Sequence, residues 1–270
     1  MPESQALLCY EKAVHAIVFV HGWGGGAGKT WEMFPEIVAK AAPNADIFFL
    51  DYPSMDSQVS FCAVQLLRFL KDLVNDPMHT IVEPSLPSSA PRRGQATRYQ
   101  RIFLVGHSMG AVVCRRALIA LDQSPPDGLT DDDLGKFRLL FFAPAHCGSA
   151  IPLLIGSGLG LDYFPAAKLV GSLMVIWLQS LRDLAENSLF LANLAKDSQR
   201  LREERTKRSV LFSHLRAKVY HAHNDRVVIQ NEFDQDPPFN PVMGKTHRSI
   251  CKPTEYYLTP AEALDALLKT

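Results

Sequence analysis

Apolar positions along this chain fall into two rhythms. Residues 13–20 form an almost unbroken apolar, β-branched run, the pattern of a strand buried on both faces. Similar runs at 46–51, 101–105, 138–143 and 218–223 predict four more strands. Between them lie segments with helical spacing: 30–42, 57–74 (carrying Phe61, Val64, Leu67, Phe69 and Leu70), the stretch from Ala111 to Leu118, and a closing helix at 260–269. Strands alternating with helices predict an α/β fold, a mostly parallel central sheet with helices on both faces. Residues 124–133 read as a polar turn. The Pro-, Ser-, Arg- and Gly-rich stretch at 84–98 reads as a surface loop and not a domain boundary, because the sheet pattern resumes at Arg101.

From about 150 to 208 the strand rhythm stops. This stretch holds an apolar segment at 169–178 and a charged one at 196–208, the latter expected to be helical and exposed. The pattern predicts a single domain over 1–270 with a helical cap at about 150–210, lying over the carboxyl edge of the sheet. Ordinary core helices are the alternative. An apolar cap favours acyl or lipid-like substrates and leaves open a peripheral membrane contact through 151–178.

Composition narrows the function classes. Apolar residues at 47% and charged residues at 21% belong to a folded globular protein. Lys+Arg and Asp+Glu balance at 28 each, which gives nucleic acid no electrostatic footprint. Cys9, Cys62, Cys114, Cys147 and Cys251 are odd in number and lack CxxC spacing, so they predict reduced thiols, not a disulfide framework or a zinc site. The first residues lack the basic start and apolar core of a secretory signal. No apolar run approaches the ~20 residues of a membrane span. The expected location is cytoplasmic.

The chemistry starts after the run at 101–105, with Gly106-His107-Ser108-Met109-Gly110. This G-x-S-x-G segment, between a strand and a helix, is the pattern of a nucleophile elbow, in which the glycines relieve crowding around a serine in a strained turn. A serine hydroxyl attacks only when a base takes its proton and donors await the oxyanion. The backbone amides of Trp23, in the loop His21-Gly22-Trp23-Gly24, and of Met109 are the candidate oxyanion donors. Asp225, after the last strand, is the candidate acid, with Asp51 as the alternative; His247 is the candidate base. Ser108, Asp225, His247 is a chain order that serine hydrolases on parallel sheets use. His21, Gly22 and His107 are expected to shape the site and His146 to line the pocket. His15, His79 and His214 are expected to have no chemical role.

Two other readings compete for these residues. Gly22 to Thr30 ends in Gly-Lys-Thr as a phosphate-binding loop does, but Trp23 stands where that motif requires glycine. His221-x-His223-x-Asp225 matches the start of a metallo-hydrolase motif, but Arg226 replaces the next ligand. Neither a metal nor another cofactor is therefore expected.

Taken together, residues 18–25, Lys29-Thr30-Trp31, Val105 to Gly110 and Thr246-His247-Arg248-Ser249-Ile250-Cys251-Lys252-Pro253 resemble the α/β-hydrolase serine esterases. The nearest branch holds the GPI inositol-deacylase-like and serine-active-site-containing proteins. The resemblance spans about 13–255, with no match in the cap region, and the loop at 84–98 departs from it as an insertion. It implies an α/β-hydrolase fold with Ser108 as nucleophile, His247 as base, Asp225 as acid and the Gly22–Trp23 loop in the oxyanion hole. The expected activity is hydrolysis of acyl or lipid-like carboxylic esters through an acyl-enzyme. An acyltransferase or thioesterase with the same triad, and a non-catalytic interaction module on a hydrolase scaffold, are the alternatives.

Overall fold

The computed structural model describes residues 4–7, 13–75, 98–158, 179–207, 214–234 and 236–269. Among the described residues, seven strands form one sheet: β1 (Gln5–Leu7), β2 (His15–Val20), β3 (Ala45–Leu50), β4 (Arg101–His107), β5 (Phe137–Phe142), β6 (Ala217–Ala222) and β7 (Asn240–Val242). Their order is β1-β3-β2-β4-β5-β6-β7, with β2 to β7 parallel and β1 antiparallel to β3. The five strands expected from the sequence all appear, within two residues of their expected bounds. The two edge strands, of three residues each, were not foreseen.

The helices are α1 (Phe34–Ala41), α2 (Val59–Asn75), α3 (Met109–Gln123), α4 (Asp131–Leu134), α5 (Ile151–Gly158), α6 (Gln179–Asp183), α7 (Leu189–Lys207) and α8 (Thr259–Leu268). α1 starts later than the spacing predicts, because residues 27–33 form turns and the helix begins beside Pro35, a residue pre-set for a helix start. Those turns put the Trp31 ring against Phe19 and Phe34 in the core. α4 lies within the expected polar turn, where Thr130 and Asp133 cap each other.

Chain direction explains the layering. β2 to β3 steps one way across the sheet, and β3 to β4 steps back past β2. Right-handed crossovers then place α1 and α2 on opposite faces. α3 and α7 follow steps in the second direction, so they share α2's face; α2 packs on α3, and α3 on α7. α8 packs beside α1 on the other face. The reversal lies at β2, so the crevice at the carboxyl ends of β2 and β4 is the switch point, where ligand sites gather in such sheets.

The region between β5 and β6 divides. α7 occupies the crossover position, with Leu191, Leu194, Leu201 and Arg205 buried. The charged segment expected to be exposed is therefore the end of a half-buried helix. Arg205 reaches Asp122 of α3 with Nε at 2.7 Å and Nη2 at 2.8 Å, and Asp131 with Nη1 at 2.9 Å. His214 adds Nε2 at 2.7 Å from the same Asp122. The expected apolar segment 169–178, most of the loop at 84–98, Cys9 and His79 lie outside the described residues. Among the described residues, no helix is long and apolar enough to cross a membrane.

Candidate active site

β4 ends in the elbow. Ser108 stands between β4 and α3 with φ 53° and ψ −120°, backbone space that a non-glycine residue enters only at a cost of about 1–3 kcal/mol. Its surroundings hold it there. Its amide donates to the Phe142 carbonyl at 3.0 Å, and its carbonyl accepts from the amides of Ala111 and Ala145. A Cβ on Gly110 would lie 2.0 Å from the Val20 carbonyl oxygen, and one on Gly106 would lie 2.8 Å from Ala111 Cα. α3 can approach β2 this closely only with glycine at 110. Met109 is the first residue of α3, so its amide is one of the helix-start donors that have no partner within the helix.

Gly22 serves the same close approach from β2. A Cβ there would meet Ser108 Cβ at 2.8 Å and His107 Nδ1 at 3.2 Å. The loop beside it is held by side chains. His21 Nδ1 donates to the Gly22 carbonyl at 2.8 Å, its Nε2 lies 3.1 Å from Asp51 Oδ1, and its ring stacks on Tyr52 at 4.2 Å. The Tyr52 hydroxyl donates to the His21 carbonyl. The Trp23 indole donates to Ser180 Oγ of α6 at 3.2 Å. The phosphate-loop alternative fails on the amides: Gly24 donates to Ser54 Oγ, Gly25 to the Gly22 carbonyl, and Gly26 to Thr30 Oγ1. These amides face protein acceptors, so they form no anion nest.

His247 sits in a turn after β7. Thr246 and Ser249 stitch the turn through side chain and backbone. Buried Ile250 and Cys251 anchor it, with the Tyr257 hydroxyl donating to the Ile250 carbonyl. His247 Nε2 lies 3.0 Å from Ser108 Oγ and its Nδ1 lies 2.8 Å from Asp225 Oδ2. Asp225 Oδ1 accepts from the Val227 amide at 2.8 Å and the Val228 amide at 3.4 Å. That loop is sewn down by Ala150, which donates to Val227, and by Ile229, which donates to Gly148. Burial alone would raise the Asp225 carboxyl, but the His247 hydrogen bond and charge and the two amides outweigh it. Asp225 is held below the usual carboxylate range.

The structure thus brings Ser108, His247 and Asp225 into one hydrogen-bonded chain, whereas the alternative acid, Asp51, meets His21. His107 was expected to shape the site, and its Nε2 donates to the His247 carbonyl at 2.8 Å. His146 packs on Phe233 at 4.8 Å, and burial, then Arg115 and His221, lower its pKa well below the ordinary value. The metal-like trio does not share a face. β6 ends at Ala222, so His221 is buried while His223 turns out to solvent. Among the described residues, no three His, Cys, Asp or Glu side chains are grouped to hold a metal ion.

Solved structures of similar shape agree with this fold. Lipase BlEst2 from Bacillus licheniformis in its mature form has a TM-score of 0.55 at 17% identity, covering 98% of this chain and 99% of that one. Phospholipase PlaB from Legionella pneumophila in complex with thio-NAD has a TM-score of 0.59 at 17% identity, covering 95% of this chain but 58% of its own. The monoacylglycerol lipase of Paleococcus ferrophilus has a TM-score of 0.53 at 12% identity, with 98% of each chain covered. No curated protein matches in sequence. A family model described as the alpha/beta hydrolase family matches residues 17–250, and with that span matched the chain belongs to the alpha/beta hydrolase family.

Proposed function

We propose that this protein is a serine hydrolase of carboxylic esters with acyl or lipid-like groups. One observation carries the reading. A serine in a strained strand-to-helix turn lies 3.0 Å from an imidazole whose other nitrogen lies 2.8 Å from a buried carboxylate. In this reading Ser108 attacks the ester carbonyl while His247 takes its proton, then returns it to the leaving alcohol. Asp225 fixes the imidazole tautomer and stabilises the imidazolium. The amides of Trp23 and Met109 receive the oxyanion. Water, activated by the same imidazole, then releases the acyl group. The lipase and phospholipase neighbours favour ester or lipid substrates. The segment Thr246 to Pro253 favours the GPI inositol-deacylase-like branch. We place the chain as one domain with a cap at about 150–210; among the described residues of that stretch, Ser180 of α6 accepts from the Trp23 indole beside the site.

A panel of p-nitrophenyl esters from acetate to palmitate, with fluorophosphonate labelling, tests this. The wild type should turn over esters and take the label, and Ser108→Ala should do neither. Asp225→Asn should lower kcat on the order of 10³–10⁴-fold. A labelled Ser108→Ala would overturn the nucleophile, and loss of turnover in Asp51→Asn with an active Asp225→Asn would overturn the acid.

A further inference from the structure

The residue before the proposed nucleophile has an interaction that the triad reading does not use. His107 is buried between two loops that come from opposite ends of the sequence. On one side its Nδ1 faces Gly22, where a Cβ would lie 3.2 Å away. On the other its Nε2 donates to the main-chain carbonyl of His247 at 2.8 Å, with the two rings 5.0 Å apart. The Trp31 ring closes the pocket edge-on at 6.5 Å. We infer that His107 is a positioning residue that ties the backbone of His247 to the elbow and so sets the distance between its imidazole and Ser108. This inference rests on the triad reading.

The physical need for such a tie is plain. His247 lies in a turn outside the sheet, and its imidazole must meet Ser108 after β4 and Asp225 after β6 at once. A hydrogen bond at its own carbonyl fixes the backbone from which both contacts are measured. The tie must also be uncharged, because a second imidazolium at 5.0 Å would repel the one that forms on His247 in the reaction. Burial, and then the charge of His247, push His107 down to about 3. The hydrogen bond to the His247 carbonyl, and then Asp225, oppose that shift without overcoming it, and Lys252 adds to it. The ring is therefore neutral at working pH, with its single proton on Nε2, where the carbonyl requires a donor.

Substitutions separate this role from packing. Glutamine carries an amide nitrogen at the Nε2 position, asparagine stops at the Nδ1 position, and leucine has no donor. His107→Gln should keep kcat within several-fold of wild type. His107→Asn and His107→Leu should lose kcat on the order of 10²-fold with KM little changed. Equal kcat in Gln and Leu variants, or a loss confined to KM, would overturn the inference. Histidine ¹⁵N NMR on the wild type gives an answer independent of variant folding. His107 should show the Nε2–H tautomer with no titration above about pH 4, and a midpoint between about pH 5 and 8 would overturn it. Turnover surviving in Ser108→Ala would instead show that the triad reading itself fails.

Discussion

Ser108 shows how much a single backbone conformation is worth. Its φ of 53° is one that glycine would adopt without strain. Ser108→Gly should therefore fold more tightly than the wild type while losing turnover. The strain of about 1–3 kcal/mol, less about 1 kcal/mol for the freer unfolded glycine, leaves a gain of about 1 kcal/mol. In a chain of this size that is a rise in Tm of about 2–4 °C by calorimetry. An unchanged or lower Tm would show that the hydrogen bonds at the elbow already absorb the strain. The elbow glycines were legible in the sequence because only that residue type tolerates such closeness. The partner of each histidine was not. Asp51 and Asp225 both follow strands at the carboxyl edge, and only the strand order puts one beside His21 and the other beside His247.

At the scale of elements, the knot around Asp122 joins α3 to α7 through two side chains, Asp122 and Arg205, each 3% exposed. Asp122→Asn leaves a buried guanidinium short of a charge, which costs about 3–5 kcal/mol. The urea midpoint should fall with the slope unchanged. Burial raises the Asp122 carboxyl, but the hydrogen bonds of His214 and Arg205 outweigh it and lower the pKa from 3.8. A lowered folded value means the stabilisation is complete above about pH 4 and is lost as pH falls through the folded pKa. Acid unfolding below about pH 4 should thus shift upward in pH if the knot is weakened. The longer helices and the central strands were legible because each has enough residues to show a period, whereas α4, with four, was read as a polar turn. β1 and β7 have three, too few for any rhythm, and the exposed side of α7 hid a buried stripe beneath its charges.

For the whole molecule, the parts of the site come from positions 22, 108, 225 and 247; the parallel run of β2 to β7 brings them to one edge, and the reversal at β2 opens the crevice between them. The order Ser, Asp, His could be read along the chain, while the convergence belongs to the sheet. Stability should follow the same plan. In native-state hydrogen exchange, amides of β2, β4 and β5, flanked on both sides, should be slowest, and those of β1 and β7 fastest. Equal protection across the sheet would refute this. The short β7 edge has a further consequence outside catalysis. An unpaired strand edge is a template on which a foreign strand can grow. Among the described residues, the β7 edge offers three residues, Asn240–Val242, and Pro241 has no amide hydrogen to give. That edge therefore ends where a neighbour would need it to continue. Resistance to edge-to-edge self-association at this edge is thus built into one of the least conspicuous strands.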